Sequence, residues 1–160
     1  MYKAVDIANF FITVFRYDEE YPTNLKLNKL VYFAQGHALA RLGRPLFDED
    51  IYAWQFGPVV PSVYQEFKKY GREGVSMIDS ELPEFSSEEA ELLIDVARTY
   101  GQFTGSSLTA KTHIAGSPWS QVYDGEPDRV ISKDSIKKYF EEIEPKLLTI
   151  DEALQYRQRI

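Results

Sequence analysis

The chain has 160 residues, of which 44% are hydrophobic and 27% charged, and this ordinary globular usage excludes a disordered protein. Its formal net charge of −7 argues against nucleic acid as a partner, since phosphate-binding proteins usually carry a basic excess. The chain contains no cysteine, which excludes disulfides, thiolate catalysis and cysteine-ligated zinc. No apolar run approaches the roughly 20 residues of a membrane span, and the first residues do not resemble a signal peptide. We therefore expect a soluble, cytoplasmic protein with no membrane partner.

The N-terminal part of the chain predicts two helices. An apolar stripe at three- and four-residue steps predicts the first helix over residues 3–17. A polar connector follows, in which Thr23 or Asn24 can cap the next helix. The second helix is predicted over residues 25–42, with Gly43 just after its end.

The second predicted helix carries its apolar residues on one face, and the spacing places Lys26 and Lys29 away from that face. A helix-turn-helix arrangement of the first two helices is conceivable, with both lysines facing phosphates. We favour an ordinary helical hairpin in the core, because the supposed recognition helix is mostly apolar and the preceding turn is acidic.

An aromatic-rich elbow follows. Residues 51–56 are predicted to be extended, and the pair Gly57-Pro58 predicts a turn. Proline suits a first helical turn, so Pro61 favours the start of a helix that continues over residues 62–70.

The second half of the chain predicts further helices. Ser86 and Glu89 have the spacing of a capping box, which opens a helix that ends at Gly101. A shorter helix is predicted over residues 108–114, with Thr104 among its possible caps.

Short extended segments and breaks separate these helices. Residues 75–78 could hold one short strand, and residues 116–119 predict a break. Residues 129–131 predict a strand that could pair with residues 51–54.

The last part of the chain completes the predicted fold. Ser132 can cap a helix that runs to about residue 144, and residues 149–152 form a capping box that opens a final helix to residue 159. The predicted fold class is mainly α. We expect a single compact helical domain over residues 1–160 with a few short strands.

Candidate metal ligands are few. Asp48, Glu49 and Asp50 form an acidic triplet, which we interpret as a solvated turn, because no EF-hand spacing accompanies it. His37 is expected to be a satisfied, partly buried histidine, and His113 to hydrogen-bond locally. A metal site would need three or four ligands, so we predict none.

No catalytic motif stands out either. Ser106 and Ser107 lie near His113 in sequence, but helix capping explains serines at these positions. The chain has no Gly-x-Ser-x-Gly elbow and no phosphate-binding loop. We expect no enzymatic activity and no cofactor, and an enzyme built on these three residues is kept as an alternative.

Two sequence blocks carry a family resemblance. The first is Lys-Leu-x-Lys-Leu-x-Tyr within residues 25–36, and the second is Trp-x-x-Gly-Pro-Val-Val-Pro within residues 53–61. Pro45-Leu46-Phe47 and Tyr64 accompany these blocks, and weaker matches are Tyr100-Gly101, Leu108, Thr112-His113 and Pro118-Trp119. Together these residues resemble the Panacea domain, the SocA-like antitoxin group often described as phage-associated proteins. The resemblance covers about residues 24–122, flanked by N- and C-terminal helical extensions.

The chain departs from the family pattern at two positions. The family commonly has glutamine where this chain has Asn28, and often a basic residue where it has Gln55. We expect neither change to touch the core, while both could alter a partner surface.

The resemblance implies a non-enzymatic antitoxin that neutralises a toxin by direct binding. The toxins of the family are diverse, so the identity of the toxin does not transfer. One branch acts as a proteolytic adaptor that delivers its toxin to a cellular protease. The rival hypothesis from another class is a DNA-binding regulator of a phage or mobile-element operon.

We expect residues of the two blocks to form or support the partner-facing surface. The predicted partner-binding residues are Lys26, Lys29, Tyr32, Trp54, Phe56, Gly57, Pro58, Val59 and Tyr64. An equally open alternative is that Trp54, Gly57 and Pro58 only fix the core and the turn.

Overall fold

The computed structural model describes residues 1–148 and 150–159. Within these residues the fold is mainly α, as predicted, with eight α-helices and one three-stranded antiparallel sheet. The helices are α1 (Ala4–Arg16), α2 (Asn24–Arg41), α3 (Pro61–Phe67), α4 (Ser87–Tyr100), α5 (Gly105–Thr112), α6 (Pro118–Val122), α7 (Lys133–Glu142) and α8 (Ile150–Arg159). The strands are β1 (Ile51–Trp54), β2 (Gly57–Val59) and β3 (Val130–Ile131), and a 3₁₀ turn (Lys68–Tyr70) follows α3.

Helix α2 lies at the centre of the molecule. It begins as predicted at Thr23, whose hydroxyl accepts a hydrogen bond from the amide of Lys26 at 3.2 Å. It packs against α1, α3, α4, α5, α7 and β2, so most of its circumference is buried. The prediction that Lys29 lies away from the buried face is therefore wrong. Its side chain is fully buried, because β2 covers that side of the helix.

Strand β1 is the middle strand of the sheet. It pairs with β2 on one side, and on the other Ile51 lies opposite Ile131 of β3. The predicted pairing of residues 129–131 with residues 51–54 is thus confirmed. Both paired isoleucines are buried, which stabilises the contact between these two short strands.

The predicted turn at Gly57-Pro58 is wrong by two residues. The turn consists of Gln55 and Phe56, while Gly57 and Pro58 belong to β2. Gly57 has a φ of 106°, which other residues rarely adopt, so it lets the chain leave the turn. Pro58 lies opposite Ala53, whose amide donates to the carbonyl of Arg129 just before β3. The amide that proline lacks is therefore not needed for a hydrogen bond in the sheet.

The predicted helix caps are confirmed where capping is local. Ser86 and Glu89 form the reciprocal capping box that opens α4. Thr104 caps α5, and Ser132 caps α7, each accepting from the amide three residues on.

Two predictions of secondary structure are wrong. Residues 118–122 form α6 rather than a break, because Ser117 caps the helix and Pro118 occupies its first position. Residues 75–78 form no strand; Val75 is buried and its amide donates to the carbonyl of Pro22. Thr149, the cap predicted for the last helix, lies outside the described residues.

Candidate partner-binding groove

A groove opens where the first turns of α2 and α5 meet the β1–β2 hairpin and α3. Its volume is about 980 Å³. It is lined by Thr23, Asn24, Leu25, Asn28 and Lys29 near α2, by Trp54, Gln55, Phe56 and Val59 of the hairpin, by Tyr64, Lys68, Gly71 and Arg72, and by Thr104, Gly105 and Ser106 at α5. We call this concavity the groove.

Aromatic side chains form one wall of the groove. The rings of Trp54 and Tyr64 meet edge to face, with centroids 5.5 Å apart. The indole Nε1 of Trp54 donates to the carbonyl of Pro127 at 3.0 Å, which fixes the ring. Phe56 lies at the tip of the hairpin and 60% of its surface is exposed. A rigid aromatic pair beside a freely exposed phenylalanine is typical of protein-binding surfaces.

The floor of the groove contains a buried lysine. Lys29 Nζ donates to the carbonyl of Pro58 at 3.2 Å. Burial lowers the pKa of Lys29 to about 7. A Cβ placed on Gly57 would lie 2.6 Å from Lys29 Cε, so glycine at this position leaves room for the lysine stem. Gly57 and Pro58 therefore hold Lys29 in place.

An asparagine network ties α2 to the hairpin and to α3. Asn28 Oδ1 accepts from the amide of Val60 at 3.0 Å, and its Nδ2 donates to Asn24. Asn24 Nδ2 in turn donates to the carbonyl of Tyr64 at 3.0 Å. The expectation that the family's glutamine could replace Asn28 without touching the core is wrong, because Asn28 is itself buried and hydrogen-bonded.

The structure brings together five of the nine predicted residues. The groove is lined by Lys29, Trp54, Phe56, Val59 and Tyr64. The other four lie beside or beneath it: Lys26 donates to the carbonyl of Gly101, Tyr32 packs in the core against Phe33 and Phe140, and Gly57 and Pro58 form β2. The buried Lys29 and Tyr32 can support the surface from below.

Three other parts of the groove were not indicated by any sequence pattern. Lys68 and Arg72 are exposed and flank it, and the first turn of α5 begins at Gly105. Only the cap at Thr104 was visible in the sequence, and a cap does not indicate what a helix end faces.

The two histidines occupy different environments. His37 Nε2 and the Tyr100 hydroxyl lie 2.7 Å apart, and that hydroxyl donates to Glu144 at 2.7 Å. Burial lowers the pKa of His37 to about 3, so it is neutral and satisfied as predicted. His113 instead stacks on Trp119, with centroids 3.7 Å apart, and its buried Nε2 has no partner among the described residues. The local hydrogen bond predicted for His113 is made by its backbone amide, which donates to the carbonyl of Ala110 at 3.2 Å, and not by Nε2.

The residues considered for catalysis or metal binding have other partners. Ser107 accepts a hydrogen bond from Thr104, and no bond joins a serine to His113 in the described part of the chain. Glu49 accepts from the amide of Ala4 and from the Ser62 hydroxyl. Over residues 1–148 and 150–159, no cluster of three potential metal ligands is present.

Helices of the described chain are either too short or too polar to cross a membrane. The fold and the groove define a helical protein with a recessed, aromatic and basic surface suited to binding another molecule.

Comparison with known proteins identifies the family. The model of the family described as Antitoxin SocA-like, Panacea domain matches residues 27–120, more than half of the chain. The chain is 35% identical over 116 residues to Antitoxin SocA of Caulobacter vibrioides (strain NA1000 / CB15N). That match covers 64% of this chain and 61% of the relative's length. No solved structure matches the chain. The chain therefore belongs to the SocA-like, Panacea-domain antitoxin family, and the predicted resemblance is confirmed.

Proposed function

We propose that the protein is an antitoxin that neutralises a cognate toxin by direct protein–protein binding. The observation that carries the proposal is the groove, whose aromatic wall is built from the Trp54 block within the family-matched residues 27–120. The name of the relative, Antitoxin SocA, supports the antitoxin role. On this proposal residues 1–160 act as one cytoplasmic domain without catalytic activity.

The environment of the candidate catalytic residues supports binding rather than catalysis. Ser107 is engaged by Thr104, and His113 stacks on Trp119. A nucleophile needs a base within hydrogen-bond reach, and no such pair involves these residues. Exposed aromatic area beside polar groups is instead the composition of interface hot spots.

A protease is the alternative partner, and delivery of the toxin would use the same capture step. The two mechanisms differ in the fate of the toxin. Sequestration leaves its cellular level unchanged, whereas delivery to a protease lowers it. Immunoblotting of the toxin during rescue separates them.

The test is co-expression with the product of the adjacent reading frame, followed by pull-down and growth scoring. We expect a stable complex and restored growth with the wild-type chain. Substitution of Phe56, Trp54 or Tyr64 by alanine should weaken binding by about tenfold or more, because each removes contact area from the groove wall.

The matched control is Tyr17→Ala, which removes an aromatic side chain that is 88% exposed at the end of α1. It should leave binding unchanged. Circular dichroism and thermal unfolding establish that each variant is folded, and Phe56→Ala is the mildest because Phe56 is exposed. Full neutralisation by all three folded groove variants would show that the interface lies outside the groove. Failure of the wild-type chain to form a complex would contradict the antitoxin role.

A further inference from the structure

The groove concentrates positive charge on an acidic protein. Lys29, Lys68 and Arg72 line it, and none of its sixteen lining residues is an aspartate or glutamate. The chain as a whole has a net charge of −7. The charge of the groove is therefore opposite to that of the molecule around it.

These three cations lack acidic partners, whereas Arg41 and Arg98, like several other cations of the described chain, are paired. Arg41 and Arg98 each contact Asp95 at 2.8 Å. No ion pair involves Lys29, Lys68 or Arg72 among the described residues. In a chain with more acidic than basic side chains, three unpaired cations in one concavity leave an unmatched positive potential.

Lys29 is the groove cation with the clearest need for a further hydrogen-bond acceptor. Its ammonium group is fully buried, and within the described part of the chain the acceptor it contacts is the carbonyl of Pro58. An ammonium has three donors, and because burial lowers the pKa of Lys29 to about 7, a neighbouring carboxylate would favour its protonated form. A carboxylate entering the groove would supply the missing partner.

Two helix N-termini add to this potential. The first turns of α2 and α5 both line the groove. They are in direct contact, since a Cβ on Gly105 would lie 3.2 Å from Leu25 Cγ and from the Lys26 amide nitrogen. The first amides of a helix have no acceptor within the helix, and the helix dipole places partial positive charge there. Threonine caps take one amide of each first turn, and the remaining partial positive charge of both ends favours an anion in the same concavity as Lys29.

We propose that the groove receives an acidic segment of the toxin, in which a carboxylate side chain adjoins an aromatic or aliphatic one. This inference rests on the proposed antitoxin function and names the chemistry of the partner. The carboxylate would face Lys29 and the two helix ends, while its apolar neighbour would pack on Trp54 and Tyr64. Lys68 and Arg72 would attract further acidic residues at the rim.

An acidic peptide fits the groove better than a nucleic acid does. The lining offers three cations within one concavity, whereas a polyphosphate needs an extended basic track. The acidic remainder of the chain would repel the phosphates beyond the groove.

The first experiment reverses the rim charges. The double variant Lys68→Glu/Arg72→Glu changes two exposed residues, so the fold should be kept. We expect about tenfold or more loss of affinity for the co-purified partner, and a weaker dependence of the remaining binding on salt. The matched control Lys137→Glu/Lys138→Glu makes the same change of charge on α7 and should bind as the wild type does.

The second experiment identifies the occupant directly. The photo-crosslinking residue p-benzoylphenylalanine replaces Phe56 at the tip of the hairpin, and mass spectrometry of the complex locates the crosslink. We expect a toxin segment that contains aspartate or glutamate. The same group at Tyr17 is the control and should not label that segment.

The outcomes separate this inference from the function on which it rests. Wild-type affinity in the folded Lys68→Glu/Arg72→Glu variant would overturn the inference while the antitoxin function stands. A crosslink to a second copy of this chain, to nucleic acid or to a toxin segment without acidic residues would overturn it as well. Failure of the wild-type chain to bind the neighbouring gene product would contradict the proposed function itself.

Discussion

At the residue scale, Lys29 is a buried lysine whose ammonium group has lost its contact with water. A lysine normally keeps its ammonium group in water, yet this one is fully buried on α2 with a single carbonyl partner. The desolvation cost is not offset by any carboxylate in the described part of the chain. Local costs of this kind are expected at functional sites, which agrees with the proposed role of the groove.

The burial of Lys29 predicts a dependence of stability on pH. Burial lowers its pKa from the ordinary value of 10.5 to about 7 in the folded state. Between these pH values the unfolded state binds more protons, so the free energy of unfolding should rise with pH. The rise from pH 6.5 to 9.5 is on the order of 3 kcal/mol, at ~1.4 kcal/mol for each tenfold change in proton affinity. Urea unfolding at intervals of one pH unit measures it.

The control for this measurement is a pair of lysine variants. Lys29→Met should lose the rise and should be at least as stable as the wild type at pH 6.5, because methionine has no charge to desolvate. Lys138→Met changes an exposed lysine of α7 and should keep the rise. The measurement stops below pH 10, since burial also raises the pKa of Tyr32. A flat profile in the wild type would contradict the prediction.

At the element scale, the packing of α7 on α2 depends on a glycine. A Cβ placed on Gly36 would lie 2.4 Å from the ring of Phe140, which is closer than any side chain tolerates. Phe140 also meets Tyr32, Phe33 and His37 edge to face, so the ring cannot simply move away. Gly36 therefore sets the distance between the two helices.

Gly36→Ala should lower the free energy of unfolding by about 1–3 kcal/mol, because it overpacks the interface between α2 and α7. Chemical denaturation measures this change. The control is a double-mutant cycle with Phe140→Leu, whose smaller side chain makes room for the new methyl group. The two changes should cost less together than the sum of their separate effects. If the two free-energy changes were strictly additive, the destabilisation by Gly36→Ala would not come from contact with Phe140.

At the scale of the whole molecule, charge is segregated rather than evenly mixed. A net charge of −7 surrounds a groove whose charged side chains are all positive. The excess of acidic residues disfavours contact with the phosphate backbone over most of the surface, while the proposed role of the groove is to attract a small local anion. A DNA-binding regulator would need the opposite arrangement, a broad basic face.

This distribution predicts weak binding to DNA. Fluorescence anisotropy with a labelled duplex, between about 50 and 200 mM salt, should give a shallow slope that corresponds to no more than about three phosphate contacts. Lys68→Glu/Arg72→Glu should abolish what binding there is, since these residues supply the exposed charge of the groove. Tight binding with a steep salt slope would instead favour the regulator.

The local features of the fold were predictable because they depend on residues close together in sequence. The caps at Thr23, Ser86 and Ser132 are side-chain bonds to an amide three residues on, so a short window of sequence contains both partners. The pairing of Ile131 with Ile51 was also predictable, because few extended apolar segments were available to pair. The aromatic wall at Trp54 followed from a sequence block.

Only the tertiary structure decided how segments that are distant in sequence pack against one another. The burial of Lys29 depends on β2 lying over α2, and no periodicity within α2 contains that contact. Lys68 and Arg72 became groove residues because α3 directs the chain past the first turn of α2. The sequence by itself determined most of the helices, the caps of α2, α4, α5 and α7, and the family of this protein, since these rest on short-range hydrogen bonds and on motif blocks. The electrostatic character of the groove was decided by packing, because the potentials of unpaired charges on separate elements add up only when the fold brings these charges close together.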